Sequence, residues 1–185
     1  QQAIIAYGFI GPKVTDADRA ALDVLDAALS GVRLPGGRLH NTLRGRQLVY
    51  FVHAYPVCAL DPGCFIIYAG TRPDKVDTVQ GIIEQIVADI KAEPLPPEEL
   101  ERAKGMCIAA DRVALQTNAA LAQTMALDMI YGLGHDNWRS YSERIGAVTA
   151  EQVQRVAEEL LDLQRCAVVI TKPAPLTIHP MSPSS

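Results

Sequence analysis

Two apolar runs separated by a turn constrain this chain most: Leu48–Tyr55 (LVYFVHAY) and Cys64–Thr71 (CFIIYAGT). Both are dense in β-branched and aromatic residues, which suit a pleated, half-buried surface. Between them Asp61-Pro62-Gly63 supplies turn chemistry, so the runs are expected to pair as an antiparallel hairpin. An isolated hairpin is marginal in water and must lay an apolar face on further elements. The remaining sequence has to supply them.

Upstream, Ala3–Ile10 (AIIAYGFI) reads as a strand stopped by Gly11-Pro12. Thr15 is then expected to open a helix, with Asp16 and Asp18 placing negative charge in its first turn. Ala21, Leu22, Leu25, Ala28 and Leu29 give it one apolar face, and Gly31 ends it. Residues 31–38 (GVRLPGGR) form a Gly/Pro-rich connection, followed by a short polar-apolar stretch to about Arg46. From Lys75 the period becomes helical, with Val79, Ile82, Ile83, Ile86, Val87 and Ile90 on one face until Pro94–Pro97 breaks it. Pro97-Glu98-Glu99 starts another helix, Pro and carboxylates in its first turn. The chain bends near Thr117-Asn118 into a helix through Ala122, Met125, Ala126 and Met129 that ends near Gly132–Gly134. Two shorter helices follow, one over Asn137–Ala147 and one capped by Thr149 with Gln152 answering it. Cys166–Thr171 (CAVVIT) is the last strand.

Strands and helices are grouped rather than alternating. The expected class is α+β: an antiparallel-dominated sheet of about four strands backed by helices. The domain is expected to span 1–173, with 174–185 (APLTIHPMSPSS) as a loose tail. A length of 185 residues suits one such domain. The net charge of −4 gives no electrostatic reason to expect nucleic acid as a partner. No apolar run approaches the ~18 residues of a membrane span. The opening Gln1-Gln2 fits a processed chain or a piece of a longer one.

The residues that could carry chemistry are scattered. His40, His53, His135 and His179 include no pair three or four apart, and none has a Glu placed to make His-x-x-Glu-His or its inverse. A helical zinc site needs both, so no metal is expected in this chain. There is no Gly-x-Ser-x-Gly elbow, and no cysteine has the setting of an activated thiolate. Cys58 and Cys64 flank the hairpin turn and could approach one another, but buried free thiols are the expected state. From residues alone the reading stops at an α+β domain without an evident active site.

Four segments carry a resemblance. Gly-Phe-Ile-Gly-Pro at 8–12 leads to Thr15-Asp16-Ala17-Asp18-Arg19. Gly37-Arg38-Leu39 runs through Asn41-Thr42-Leu43-Arg44 to Leu48-Val49-Tyr50. Pro97-Glu98-Glu99-Leu100-Glu101-Arg102-Ala103-Lys104 opens a helix. Arg144-Ile145 precedes Val148-Thr149-Ala150-Glu151-Gln152-Val153-Gln154-Arg155-Val156-Ala157. In this order and spacing, over Gln2 to Lys172, the chain resembles the C-terminal, zinc-free domain of the M16 (pitrilysin/insulinase/mitochondrial processing peptidase-like) zinc metallopeptidases, whose fold is LuxS/processing-peptidase-like.

The resemblance implies a non-catalytic half that closes a proteolytic chamber and helps position peptide for a homologous zinc-bearing domain or subunit. It implies that zinc resides in that partner, and that this chain alone is inactive. It carries a substrate-holding Arg and Tyr onto Arg44 and Tyr50, although the intervening segment is a residue shorter than the pattern. Gln47-Leu48-Val49 stands where Gly-Leu-Ala is common, and Arg46 is an alternative for the Arg. A structural or assembly subunit without proteolysis is the other reading. The compartment, bacterial periplasm or cytoplasm, stays open. Apolar surface meant for the partner half is expected to leave the isolated domain prone to self-association.

Overall fold

The expected hairpin forms, and the rest of the sheet is built on it. The computed structural model describes residues 2–32 and 35–173; the expected tail at 174–185, with His179, lies outside them. Strands β1 (Ala3–Ile10), β2 (Val49–Val57), β3 (Cys64–Thr71) and β4 (Ala167–Thr171) make one sheet in the order β2-β3-β1-β4, every pair antiparallel. β2 runs two residues further than its apolar run because Pro56, which cannot donate to a ladder, is tolerated on an edge strand.

Helices lie on one face of this sheet. They are α1 (Arg19–Ser30), the single turn α2 (Gly37–Leu39), α3 (Val76–Ala92), α4 (Pro97–Ala114), α5 (Asn118–Ile130), α6 (Tyr141–Gly146) and α7 (Ala150–Leu160). Ala3, Ile5, Tyr7 and Phe9 alternate inward and are buried against them. Ile4, Ala6 and Gly8 on the opposite face are only half-buried. α1 is the central helix, burying Leu22, Leu25 and Leu29, with α3 adding Val79, Ile83, Val87 and Ile90. Tyr7 keeps its polar end satisfied inside the layer, its hydroxyl donating to Glu84 Oε1 of α3 at 2.9 Å.

Three expected details differ. α1 starts at Arg19, not Thr15, because the Asp16 carboxylate accepts the Lys13 N–H at 2.8 Å and holds residues 13–16 in a turn. The helix expected over Asn137–Ala147 is a 3₁₀ turn, Asn137–Ser140, leading into α6. The stretch after the Gly/Pro-rich connection winds as α2 and then as a π-helical turn, His40–Arg44. The Thr149–Gln152 capping box and the Gly31 stop, at φ 75°, form as the residues suggest. All four cysteines are free thiols.

The two edges of the sheet are treated differently. On β2 the Tyr50 carbonyl accepts from Arg44, the Ala54 carbonyl accepts from Ser30 at 3.0 Å, and Pro56 has no N–H to offer. On β4 all five residues are exposed, including Val168, Val169 and Ile170. Among the described residues nothing pairs with its outer edge.

Beneath β2 sits a buried carboxyl. Asp26 of α1 is enclosed, and burial pushes its pKa up to about 7, with neighbouring Asp23 adding to the rise and Ser30 opposing it. Ser30 Oγ lies 3.1 Å from Asp26 Oδ1 and 3.0 Å from the Ala54 carbonyl oxygen. A hydroxyl has one hydrogen to give: Ser30 donates to Asp26 when the carboxyl is ionised, and when it is protonated Asp26 can donate to Ser30 while Ser30 donates to the Ala54 carbonyl. The folded carboxyl therefore holds its proton to about pH 7, whereas an aspartate in water loses it near 3.8. The folded state binds more protons across that window, so this group's contribution to stability falls as pH rises from about 4 to about 7. Asp26→Asn, which keeps a donor toward Ser30, is expected to stabilise the domain at pH 8 by roughly 1–3 kcal/mol. At pH 4 it should change little; thermal melts of both proteins at the two pH values measure the difference.

Candidate functional site

The segment from Gly37 to Tyr50 builds the site. Gly37, at φ 72°, lets α2 start against the end of α1. Leu39 and Leu43 are fully buried, which pins the π-helical turn and leaves Arg44 exposed at its end. The chain then reverses through Gln47, a non-glycine residue at φ 56°, with the Gln47 N–H donating to the Arg44 carbonyl at 2.9 Å. Strand pairing resumes with Val49 opposite Thr71 and Phe51 opposite Gly70, so Tyr50 is the extra residue of a β-bulge. A bulge re-aims its side chain and ends regular pairing. Tyr50 is 50% exposed there.

Arg44 and Tyr50 are thus brought together, with Arg44 Nη1 donating to the Tyr50 carbonyl. They line a hollow of about 300 Å³ with Ser30, His40, Phe51 and His53. Arg46 is exposed in the turn, beyond that lining. Tyr hydroxyl and guanidinium are both donors, and a site built of donors suits carbonyl oxygens.

Gln47, which stands where the resembling pattern commonly carries Gly, has the backbone conformation that explains that Gly. Left-handed backbone costs a side-chain-bearing residue of order 1 kcal/mol and suits glycine. Gln47→Gly is expected to raise the stability of the fold by about 0.5–1 kcal/mol, read as a higher denaturant midpoint with an unchanged slope.

Metal ligation is not supported by these residues. Among the described residues no three His, Cys, Asp or Glu side chains gather to hold an ion. His53 is exposed on β2, and His135 lies 3.2 Å from Asp136 on the surface. The cysteines are no better as nucleophiles: burial pushes the Cys107 thiol up to about 12 and raises Cys58 and Cys166 too.

The recurring segments meet in space in pairs. Arg38 makes a two-pronged ion pair with Glu99, its Nε 2.8 Å from Oε1 and its Nη2 3.0 Å from Oε2. That joins the Gly37–Arg44 segment to the start of α4. Arg155 reaches Asp18 Oδ2 at 3.0 Å, joining α7 to the turn before α1 and holding the Asp18 carboxyl below its usual range. These ties are structural, and none touches the hollow at Tyr50.

The sequence pattern of the peptidase M16 inactive domain matches residues 1–106. This chain belongs to the peptidase M16 inactive-domain family. An uncharacterized zinc protease of Streptomyces coelicolor is 29% identical over 162 residues, covering 87% of this chain and 35% of that protein. The chain therefore spans about a third of the length of that curated relative. Among solved structures, a peptidase M16 inactive domain from Pseudomonas fluorescens superposes with a TM-score of 0.84 at 22% identity, covering 94% of this chain and 42% of that one. An inactive peptidase domain from Bordetella parapertussis gives 0.82 at 20% identity, covering 96% of each chain. At these identities the solved structures establish the fold: an M16 inactive domain of four antiparallel strands backed by helices.

Proposed function

We propose that this M16 inactive domain is the zinc-free half of a zinc metallopeptidase, closing the peptide-holding chamber and positioning substrate for a homologous zinc-bearing domain or subunit. The observation that carries this reading is the pairing of Arg44 with a bulged, half-exposed Tyr50 over an open hollow. In the closed chamber Tyr50 gives a hydrogen bond to a peptide carbonyl, and the Arg44 fork adds charge-assisted donors. The hydrolytic water and its metal belong to the partner in this reading, since no ligand set assembles among the described residues. The similarity to a zinc protease about two and a half times as long supports a partner of that kind.

The reading is tested with a quenched fluorescent peptide and added zinc, for this chain alone and mixed with its zinc-bearing partner. Cleavage is expected only in the mixture. Zinc-dependent cleavage by this chain alone would sink the proposal. Stable assembly without cleavage would favour a structural subunit instead.

A further inference from the structure

A second hollow adjoins the first, and its chemistry is different. It measures about 390 Å³ and is lined by Asp26, Ser30, Gly31, His53, Tyr55 and Tyr68 among others. Ser30, Gly31 and His53 line both hollows, so the second continues the first along β2 away from Arg44 and Tyr50. We propose that it is a side-chain pocket for an aromatic or large aliphatic residue of the bound peptide, neighbouring the stretch held at Arg44 and Tyr50. This rests on the function proposed above and adds a specificity to it.

One part of the pocket wall is a set of rings gathered on the sheet face that carries no helices; Asp26 and Ser30 of α1 form another part. His53 and Tyr68 have centroids 5.4 Å apart, and Tyr55 meets Tyr68 edge-on at 5.8 Å. Phe51 lies 5.7 Å from Tyr68 on the other side. Phe51 can take that place because its partner in the ladder is Gly70: a Cβ there would come within 2.5 Å of the Phe51 ring. His53, Tyr55 and Tyr68, with Phe51 of the first hollow packed beside them, make a rigid aromatic wall, to which a further ring or branched aliphatic group adds at little conformational cost.

The other candidate occupants fit less well. No Lys, Arg or Glu lines this hollow among the described residues. Its carboxyl, Asp26, is already engaged by Ser30, and burial favours its neutral form, which leaves little charge to attract a basic side chain. An acidic side chain would lose its hydration with no Lys or Arg in the lining to replace it. A long polar side chain would give up its hydration for aromatic walls.

The test is binding to this chain itself, as the Bordetella parapertussis domain that it covers at 96% in both directions is a solved chain of this size. Fluorescein-labelled extended peptides differing at one guest position (Phe, Leu, Glu or Arg) are titrated by anisotropy. Phe and Leu are expected to bind at least about tenfold more tightly than Glu and Arg. Tyr68→Ser should erase most of that difference. So should His53→Glu, a change at an exposed site that the fold tolerates, while Arg44→Ala weakens all four peptides together. Equal binding of the four peptides would overturn the pocket and leave the Arg44–Tyr50 reading standing. Tightest binding of Arg would overturn it in favour of a cation site at Asp26. Failure of every peptide to bind would overturn both.

Discussion

Replacing Tyr50 by Phe is expected to lower the turnover of the zinc-loaded mixture by about 10- to 100-fold, with assembly intact. The change removes one hydroxyl and leaves the ring, so packing at the bulge is preserved. One oriented donor at a reacting carbonyl in a shielded chamber is worth ~10²–10³ in rate, and a donor that only steadies the peptide is worth less. Arg44→Ala should cost at least as much through a different route. Arg44 holds the Tyr50 carbonyl, so its loss frees the bulge as well as removing a cation. The two variants separate by kinetics: Tyr50→Phe acts mainly on kcat, whereas Arg44→Ala raises KM as well. Full activity of both in a mixture that still co-elutes on size exclusion would remove these residues from substrate handling.

The largest effect on stability is expected from Gly37→Ala. The backbone there has φ 72°, and a Cβ would stand 2.5 Å from the Leu29 carbonyl carbon and 2.6 Å from its oxygen. Those are main-chain atoms of α1, which cannot swing aside as a side-chain tip could. Strain and displacement together should cost about 3 kcal/mol or more. The segment that would have to move is the one ending at Arg44, so peptide binding should fall along with the melting temperature. Gly105→Ala supplies the contrast. Gly105 lies inside α4, and a methyl added there would meet nothing within 4 Å. At that position the substitution should stabilise the protein by about 0.5–1 kcal/mol. A Gly37→Ala protein that melts with the parent would show that the junction between α1 and α2 yields more easily than its geometry implies.

Which of these features are legible in the sequence depends on how local their causes are. The hairpin, the Pro97 helix start and the Thr149 cap are set by residues a few positions apart, and each forms as its residues suggest. The delayed start of α1 is also local, but turns on Asp16 choosing the Lys13 N–H over a helix end. The π-helical turn and the bulge are not local. They exist because Leu39 and Leu43 must reach the core while Val49 regains register with β3, which leaves Tyr50 unpaired. The recurring segments had a legible order whose reason was hidden. The Arg38–Glu99 and Arg155–Asp18 ties span 61 and 137 positions, so the conjunction of motifs marks the frame around the site more than the site itself. The ring wall was illegible for the same reason, since Phe51 and Tyr68 meet only through strand register and the absence of a side chain at Gly70.

The unequal edges of the sheet set a limit on what lone copies of this domain can do to each other. Adding strands side by side without end requires two receptive edges, one to accept and one to offer. Here the β2 side has its Tyr50 and Ala54 carbonyls already occupied and a Pro at 56, while the β4 side is bare among the described residues. Two molecules joined through β4 would present only blocked margins outward. Association by this route ends at a pair, and growth into fibres has no next step.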